Sequence, residues 1–155
     1  MSEAQKRYVF CVGLVPVQAW IATARRSRDL RAGSVMLSWW MGRVLGTLAK
    51  ESELGLQLVV PRAPRNLEAL AARPFPEALS DAYSLPNRAS GFLTTGDEAL
   101  VQKVFESLES VVSSAWLGLQ ESCLEDLRSK EKELFRQIEP FWADYWAAGP
   151  RGWDC

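Results

Sequence analysis

A short apolar run, followed at once by a proline and a helical pattern, most constrains the fold of this chain. The run extends from Arg7 to Val15 and is almost continuously apolar, which is typical of a strand covered on both faces. Pro16 suits the first turn of a helix, and apolar residues recur at helical spacing until about Arg28. The chain is therefore predicted to open with a central strand and a helix that packs on the sheet.

A second helix and two further strands are expected next. Gly33 and Ser34 precede a helical pattern that ends near Lys50 and is apolar nearly all round, so this helix should be buried on more than one side. The run 56–60 is predicted to be the second strand and the run 91–95 a third, weaker one. The proline-rich segment between them is long enough to indicate a functional loop, an insertion or a disordered segment.

Two helices are predicted in the last part of the chain. Asp97 is a plausible cap for an amphipathic helix that reaches about Trp116. Another helix should run from about Glu121 to Glu139 and stop before Pro140. The resulting order, β-α-α-β, a long loop and β-α-α, matches the start of a βαββαβ ferredoxin-like unit without its fourth strand.

The predicted fold class is therefore α+β and helix-rich, with an incomplete ferredoxin-like βαββαβ unit and a helical extension. The expected domain boundaries are residues 1–118 for the ferredoxin-like part, with a loop insertion at 62–88. Residues 119–155 would form the helical extension and a Trp-rich tail. The tryptophans after Trp20 are expected in the core or at subunit interfaces, because most lie on helical stripes.

Composition excludes several classes of enzyme. The 155 residues include no histidine, so Ser-His-Asp and Cys-His catalysis, His-based zinc sites and His-Asp nuclease centres cannot be built from them. An enzyme using only carboxylates such as Glu3, Asp29 or Asp97 would lack a recognisable pair. The three cysteines are far apart, which favours reduced thiols and no structural metal.

The charge balance is close to neutral, with 18 basic and 19 acidic residues, so any polyanion must be bound by a local patch. Arg25, Arg26, Arg28 and Arg31 form such a cluster. Cations in the last turn of a helix can equally complement its dipole, and Asp29 can pair with a neighbouring arginine. No apolar run is long enough to span a membrane and no cleavage site is recognisable, so the expected location is the cytoplasm.

Several short blocks occur in order along the chain. They are Pro16-Val17-Gln18, Ala24-Arg25-Arg26, Arg28-Asp29-Leu30, Ala32-Gly33-Ser34, Leu37-Ser38 and, further on, Leu85-Pro86-Asn87-Arg88. With the apolar strand before them, these blocks resemble the first palm domain of the large subunit of type III CRISPR effector complexes, particularly the Cmr-type branch. The resemblance covers roughly the first two thirds of the chain.

The resemblance implies a role in cyclic oligoadenylate signalling. In that family, recognition of target RNA switches on synthesis of cyclic oligoadenylates from ATP, and a Gly-Gly-Asp-Asp signature on a second palm domain binds the metal. This sequence contains neither that signature nor a histidine for a nuclease domain. The implied ligand is therefore ATP, with Mg or Mn held by a partner domain, and the chain alone is expected not to be an enzyme.

The same resemblance implies eight candidate nucleotide-binding residues: Gln18, Arg26, Arg28, Asp29, Gly33, Ser34, Asn87 and Arg88. Small residues at a helix start are expected to present amides or a hydroxyl to a phosphate, with arginine adding charge. Three of the eight also have a local alternative here: Ser34 suits an N-cap, Gln18 can bond nearby backbone, and Asn87 suits a turn beside proline.

The predicted function is a non-catalytic palm module of a type III CRISPR RNA-guided antiviral effector. It would contribute to an ATP-accepting cleft and dock other subunits. The implied partners are those subunits, a second palm domain, and crRNA and target RNA through the complex, without a membrane. The alternative is a small helical adaptor that binds proteins only and no nucleotide.

Overall fold

A computed structural model describes residues 5–14, 22, 26–62, 66–72, 75 and 85–147. Within these residues lie three strands, β1 (Lys6–Gly13), β2 (Gln57–Val60) and β3 (Arg88–Thr95). The helices are α1 (Ser27–Lys50), α2 (Glu98–Lys130) and α3 (Lys132–Ala147), and two short 3-10 segments span Ser52–Leu54 and Glu68–Ala72. The fold is α+β and helix-rich, as predicted.

The strands form one sheet in the order β1-β3-β2. Both outer strands pair antiparallel with β3, so β1 and β2 run parallel to each other with β3 between them. Helix α1 lies in the connection from β1 to β2, and the three elements make a split βαβ unit of the ferredoxin-like kind. No fourth strand occurs among the described residues.

The prediction that the opening strand is central was wrong, because β3 occupies the centre. The expectation that β1 is covered on both faces was also wrong, since the Val9 side chain is 78% exposed. Only one face of the sheet is buried. We call it the inner face, with Phe10 and Leu93, and the opposite side, with Val9 and Phe92, the outer face.

The inner face holds the core of the sheet. Phe10 is buried and meets Phe105 of α2 edge-on, with ring centroids 6.2 Å apart. Gly91 lies opposite Phe10 in the register, and a side chain there would collide first with the Gln57 backbone carbonyl of β2 and then with the Phe10 ring, 2.9 Å from the added carbon. A glycine at this position therefore lets both β2 and the aromatic ring approach the middle of β3.

Helix α1 is buried on several sides, as its pattern predicts. Trp40, Met41, Leu45 and Leu48 are fully buried, and Trp39 is nearly so. Gly46 allows the 3-10 segment to approach closely, because an added carbon would come within 2.5 Å of the Ala71 amide nitrogen. The prediction of core tryptophans is therefore confirmed for Trp39 and Trp40.

Helix α1 begins earlier than predicted. It starts at Ser27, with the Leu30 amide donating to the Arg26 carbonyl at 3.2 Å, and continues through Gly33 and Ser34 without a break. The predicted turn at Gly33 and N-cap at Ser34 were therefore wrong. One glycine costs a helix only about 1 kcal/mol, which the buried turns that follow offset. Most of the predicted opening helix lies outside the described residues.

The cap at Asp97 is confirmed, because its Oδ1 accepts a hydrogen bond from the Leu100 amide at 3.0 Å. The later helix ends differ from the prediction. Helix α2 continues through Gly118 to Lys130, and α3 includes Pro140, so the predicted stop before that proline was wrong. A proline removes one backbone hydrogen bond, and the turns of α3 on either side sustain the helix.

The chain divides into two compact units, one up to Val112 and one from Ser113. The predicted domain boundary between residues 118 and 119 stays a prediction. Among the described residues, none of the helices combines the length and apolarity that crossing a membrane requires.

Candidate functional site

The candidate site is built around the segment 85–88, which leads into β3. The Asn87 carbonyl accepts a hydrogen bond from the Leu14 amide at 2.8 Å, and Arg88 pairs with Gly13 at the first position of the strand register. The end of β1 and the start of β3 therefore lie side by side. Asn87 is half-buried at this junction, and Arg88 is exposed.

Ser38 of α1 holds this segment in place. Its hydroxyl donates to the Leu85 carbonyl at 2.9 Å, and the Leu85 amide donates back to the same hydroxyl at 3.2 Å. Both residues are buried, with only 3% of Ser38 exposed. Because a buried polar group without a partner is costly, this reciprocal pair joins α1 firmly to the strand entry.

Ser34 lies one turn before Ser38 and so on the same side of α1, about 5–6 Å away between Cβ atoms. It is exposed. The hydrogen bonds at Ser38 thus connect the helix that carries Ser34 to the segment that leads to Asn87 and Arg88. A hydroxyl, a carboxamide and a guanidinium can all donate hydrogen bonds to phosphate oxygens.

The backbone amides of Gly33 and Ser34 cannot serve as the phosphate donors that were predicted. They are interior residues of α1, and amides in a helix interior already donate to carbonyls one turn earlier. Of the donors on these two residues, only the Ser34 hydroxyl remains for a ligand. The correction follows directly from the earlier start of the helix at Ser27.

A model of the family described as CRISPR-associated protein Cmr2, N-terminal, matches residues 9–121. The match covers more than half of the chain, and it includes Ser38, Leu85 and Asn87. The chain belongs to this family. It is accordingly the N-terminal part of a Cmr-type large subunit of a type III CRISPR effector. No curated protein and no solved structure matches the chain.

The other predicted residues of this Cmr2 N-terminal chain are placed less fully. Arg26 is exposed just before α1, eight residues ahead of Ser34 and about 12 Å along the helix axis. Arg28 and Asp29 lie in the first turn of α1, and their side chains are outside the described part of the chain. Gln18 also lies outside it. Nucleotide binding by these residues stays a prediction.

Sequence reasoning missed Ser38 as the residue that organises the site. The available signal was a hydroxyl residue inside an otherwise apolar pattern, flanked by Leu37 and Trp39. A polar side chain at a buried position needs a hydrogen-bond partner. The identity of that partner was not predictable, because Leu85 is 47 residues away along the chain.

Two described residues with a shifted pKa, Lys6 and Cys123, are not among the candidate site residues. A hydrogen bond to Glu98, together with the charge of that carboxylate, raises the pKa of the Lys6 ammonium above its ordinary value of 10.5. Lys6 is at the far end of β1 from Gly13, about 23 Å away at 3.3 Å a residue. Burial, and then the charge of Asp126, raises the pKa of the Cys123 thiol. Both Cys11 and Cys123 are free thiols.

Proposed function

We propose that this chain is a non-catalytic palm module of a type III CRISPR effector large subunit. It forms one wall of a cleft that accepts ATP against a second palm domain, and it docks neighbouring subunits for cyclic oligoadenylate signalling. The observation that supports this most strongly is the split βαβ sheet, whose strand entry is fixed to α1 through Ser38 and Leu85.

The chain's own part in this function is to bind and orient the nucleotide. Arg88 offers a fork of donors and a positive charge to a phosphate, while Asn87 and the Ser34 hydroxyl offer neutral donors. These three residues include no carboxylate, so they fit the phosphates and leave the metal ion to the second palm. The metal ion, when bound there, would neutralise charge on the triphosphate.

The proposal that the chain is not an enzyme by itself rests on its side chains. It has no histidine and no Gly-Gly-Asp-Asp sequence. Binding and orientation need only hydrogen-bond donors and charge, whereas activation of a hydroxyl nucleophile beside a metal ion needs carboxylates or other ligands arranged to hold that ion. The chain therefore contributes position and charge, and its partner contributes the reacting groups.

The test is ATP binding by calorimetry with the chain alone and with a second palm that carries the Gly-Gly-Asp-Asp signature. We expect ATP to bind more tightly when the chain and the second palm are present together. The double variant Asn87→Ala, Arg88→Ala should weaken ATP binding about tenfold or more, because it removes one charged and one polar contact. Arg128→Ala, which removes the same charge elsewhere, is the control. Equal binding by the double variant and the native chain would contradict the proposed site.

A protein-only adaptor is the second candidate, and the second unit supplies the observation that favours it. Leu117, Leu134 and Phe141 are large apolar side chains with 46–67% of their surface exposed. Exposed apolar groups of this size often mark protein contacts. If this is the whole function, the chain will bind neither ATP nor RNA at low salt.

A further inference from the structure

The outer face of the sheet has a composition unlike that of the inner face. Alternation along the strands places on it Arg7, Val9 and Cys11 from β1, Gln57 and Val60 from β2, and Arg88, Ser90, Phe92 and Thr94 from β3. None of these residues is acidic, and two are arginines. A negatively charged partner is therefore favoured by charge.

An aromatic ring and an arginine form a stack at one end of this face. The Arg7 guanidinium carbon lies 3.8 Å from the Phe92 ring centroid, and the guanidinium donates to Gln57 Oε1 at 3.3 Å. Val9, beside Phe92 in the register, is 78% exposed. Arg7 is exposed and has no carboxylate partner among the described residues, so its charge is not neutralised there.

We propose that this outer face binds single-stranded RNA, with a base stacked at the Arg7–Phe92 pair. Guanidinium planes and aromatic rings are the groups on which unpaired bases stack in proteins that bind single strands. The exposed Val9 would support the neighbouring base or ribose. This inference stands on the sheet face alone and does not depend on the proposed ATP site.

The length and polarity of the face fit a short single strand. From Thr94 to Arg88 it extends about 20 Å along β3, so a positive charge lies near each end. The face also carries polar side chains that can bond the ribose 2′-hydroxyl, which DNA lacks: Ser90, Thr94 and Gln57. In a duplex the bases are already stacked and paired, so the Arg7–Phe92 pair would have no free base to bind.

The tryptophans do not offer the same chemistry. Trp40 is fully buried and Trp39 nearly so, whereas Phe92 alternates along a strand whose outer face also carries arginine. Rings in a packed core cannot receive a base. A protein partner is less well matched by this face, because polar side chains such as Ser90 and Gln57 interrupt its apolar surface.

The experiment is fluorescence anisotropy of a labelled single-stranded RNA of about 12 nucleotides, titrated with the purified full chain at about 50 and 200 mM salt. We expect binding at low salt that weakens at high salt. Phe92→Leu and Arg7→Ala should each weaken binding at least about fivefold, and Arg7→Lys should have an intermediate effect because it keeps the charge without the plane.

Matched variants separate stacking from charge and from folding. Arg128→Ala removes the same charge from another Arg–Phe pair, in which the guanidinium carbon lies 5.1 Å from the Phe135 ring centroid. This control should leave RNA binding unchanged. Phe92→Tyr keeps the ring and should bind like the native chain. If Phe92→Leu does not fold, the comparison of Arg7→Ala, Arg7→Lys and Arg128→Ala still decides the question.

Any of four results would overturn the proposal. They are no binding at low salt, equal binding by Arg7→Ala and the native chain, equal loss in Arg128→Ala, and duplex RNA binding as tightly as the single strand. Arg88 belongs to both proposed sites, so the RNA proposal is tested at Arg7 and Phe92 and the ATP proposal at Asn87 together with Arg88. Loss of RNA binding in the Arg7 and Phe92 variants with unchanged ATP binding would therefore separate the two.

Discussion

The two faces of the sheet are made by alternate residues of the same strands, yet their environments are opposite. On the inner face Leu93 is fully buried and Phe10 packs against α2, whereas on the outer face Val9 is mostly exposed and Arg7 covers a ring. A period of two residues thus buries one face and leaves the other exposed. Substitutions on the two faces should therefore differ in their effect on stability.

The largest difference is expected between core and surface truncations on neighbouring strands. Leu93→Ala should lower the free energy of unfolding by about 2–5 kcal/mol, because it removes a fully buried side chain and leaves a cavity. Val9→Ala should change it by no more than about 0.5 kcal/mol. Urea unfolding followed by circular dichroism measures both. Equal losses would mean that the outer face is also part of a core.

A glycine on the inner face provides the next test. Gly91→Ala should destabilise by about 1–3 kcal/mol, because the new methyl group would collide with the Phe10 ring and the strand backbone. Gly118→Ala is the control, since nothing lies within 4 Å of the added carbon and alanine is the better helix former. Thermal melts of the two variants should therefore shift in opposite directions.

The serine that fixes the strand entry should matter more than its neighbour one turn away. Ser38→Ala leaves the buried amide and carbonyl of Leu85 without their partner, which should cost about 1–3 kcal/mol. Ser34→Ala alters an exposed hydroxyl and should have little effect on stability. If both variants unfold at the same urea concentration as the native chain, Ser38 does not organise the site.

The smallest effect concerns the exposed ion pair between Lys6 and Glu98, 3.2 Å apart. Since the pKa of Lys6 is raised in the folded chain, its contribution is full below the ordinary value of 10.5 and is lost as the pH rises through the raised value. Lys6→Met should therefore be slightly less stable than the native chain at neutral pH, and the difference should vanish in strong alkali. A difference that grows in alkali would contradict this assignment.

Local patterns in the sequence were sufficient for much of the fold. The strand at Tyr8 to Val12 and the cap at Asp97 were predictable because a short apolar run and helix capping both depend on nearby residues. The central place of β3 was not, because Gly91 weakens its strand pattern and sheet order depends on distant pairing. Helix α1 contains Gly33, where the pattern predicts a helix start, and α3 contains Pro140, where it predicts a helix stop.

The candidate site was predictable in composition and less so in geometry. The blocks at Ser34 and at Asn87-Arg88 were identified, and the hydrogen bonds at Ser38 connect the helix of the first block to the segment of the second. The link between them is a hydrogen bond across 47 residues, which no local pattern encodes. The Arg7–Phe92 stack has the same origin, because its partners lie on strands far apart in the sequence.

The most direct test of the proposal that this chain is a palm module without activity of its own is a product assay. It compares three samples, this chain, a Gly-Gly-Asp-Asp palm and their mixture, each with ATP and Mg²⁺. Chromatography of the products should detect cyclic oligoadenylates only where the second palm is present, with the greatest amount in the mixture. Cyclic oligoadenylates formed by this chain alone would contradict the account.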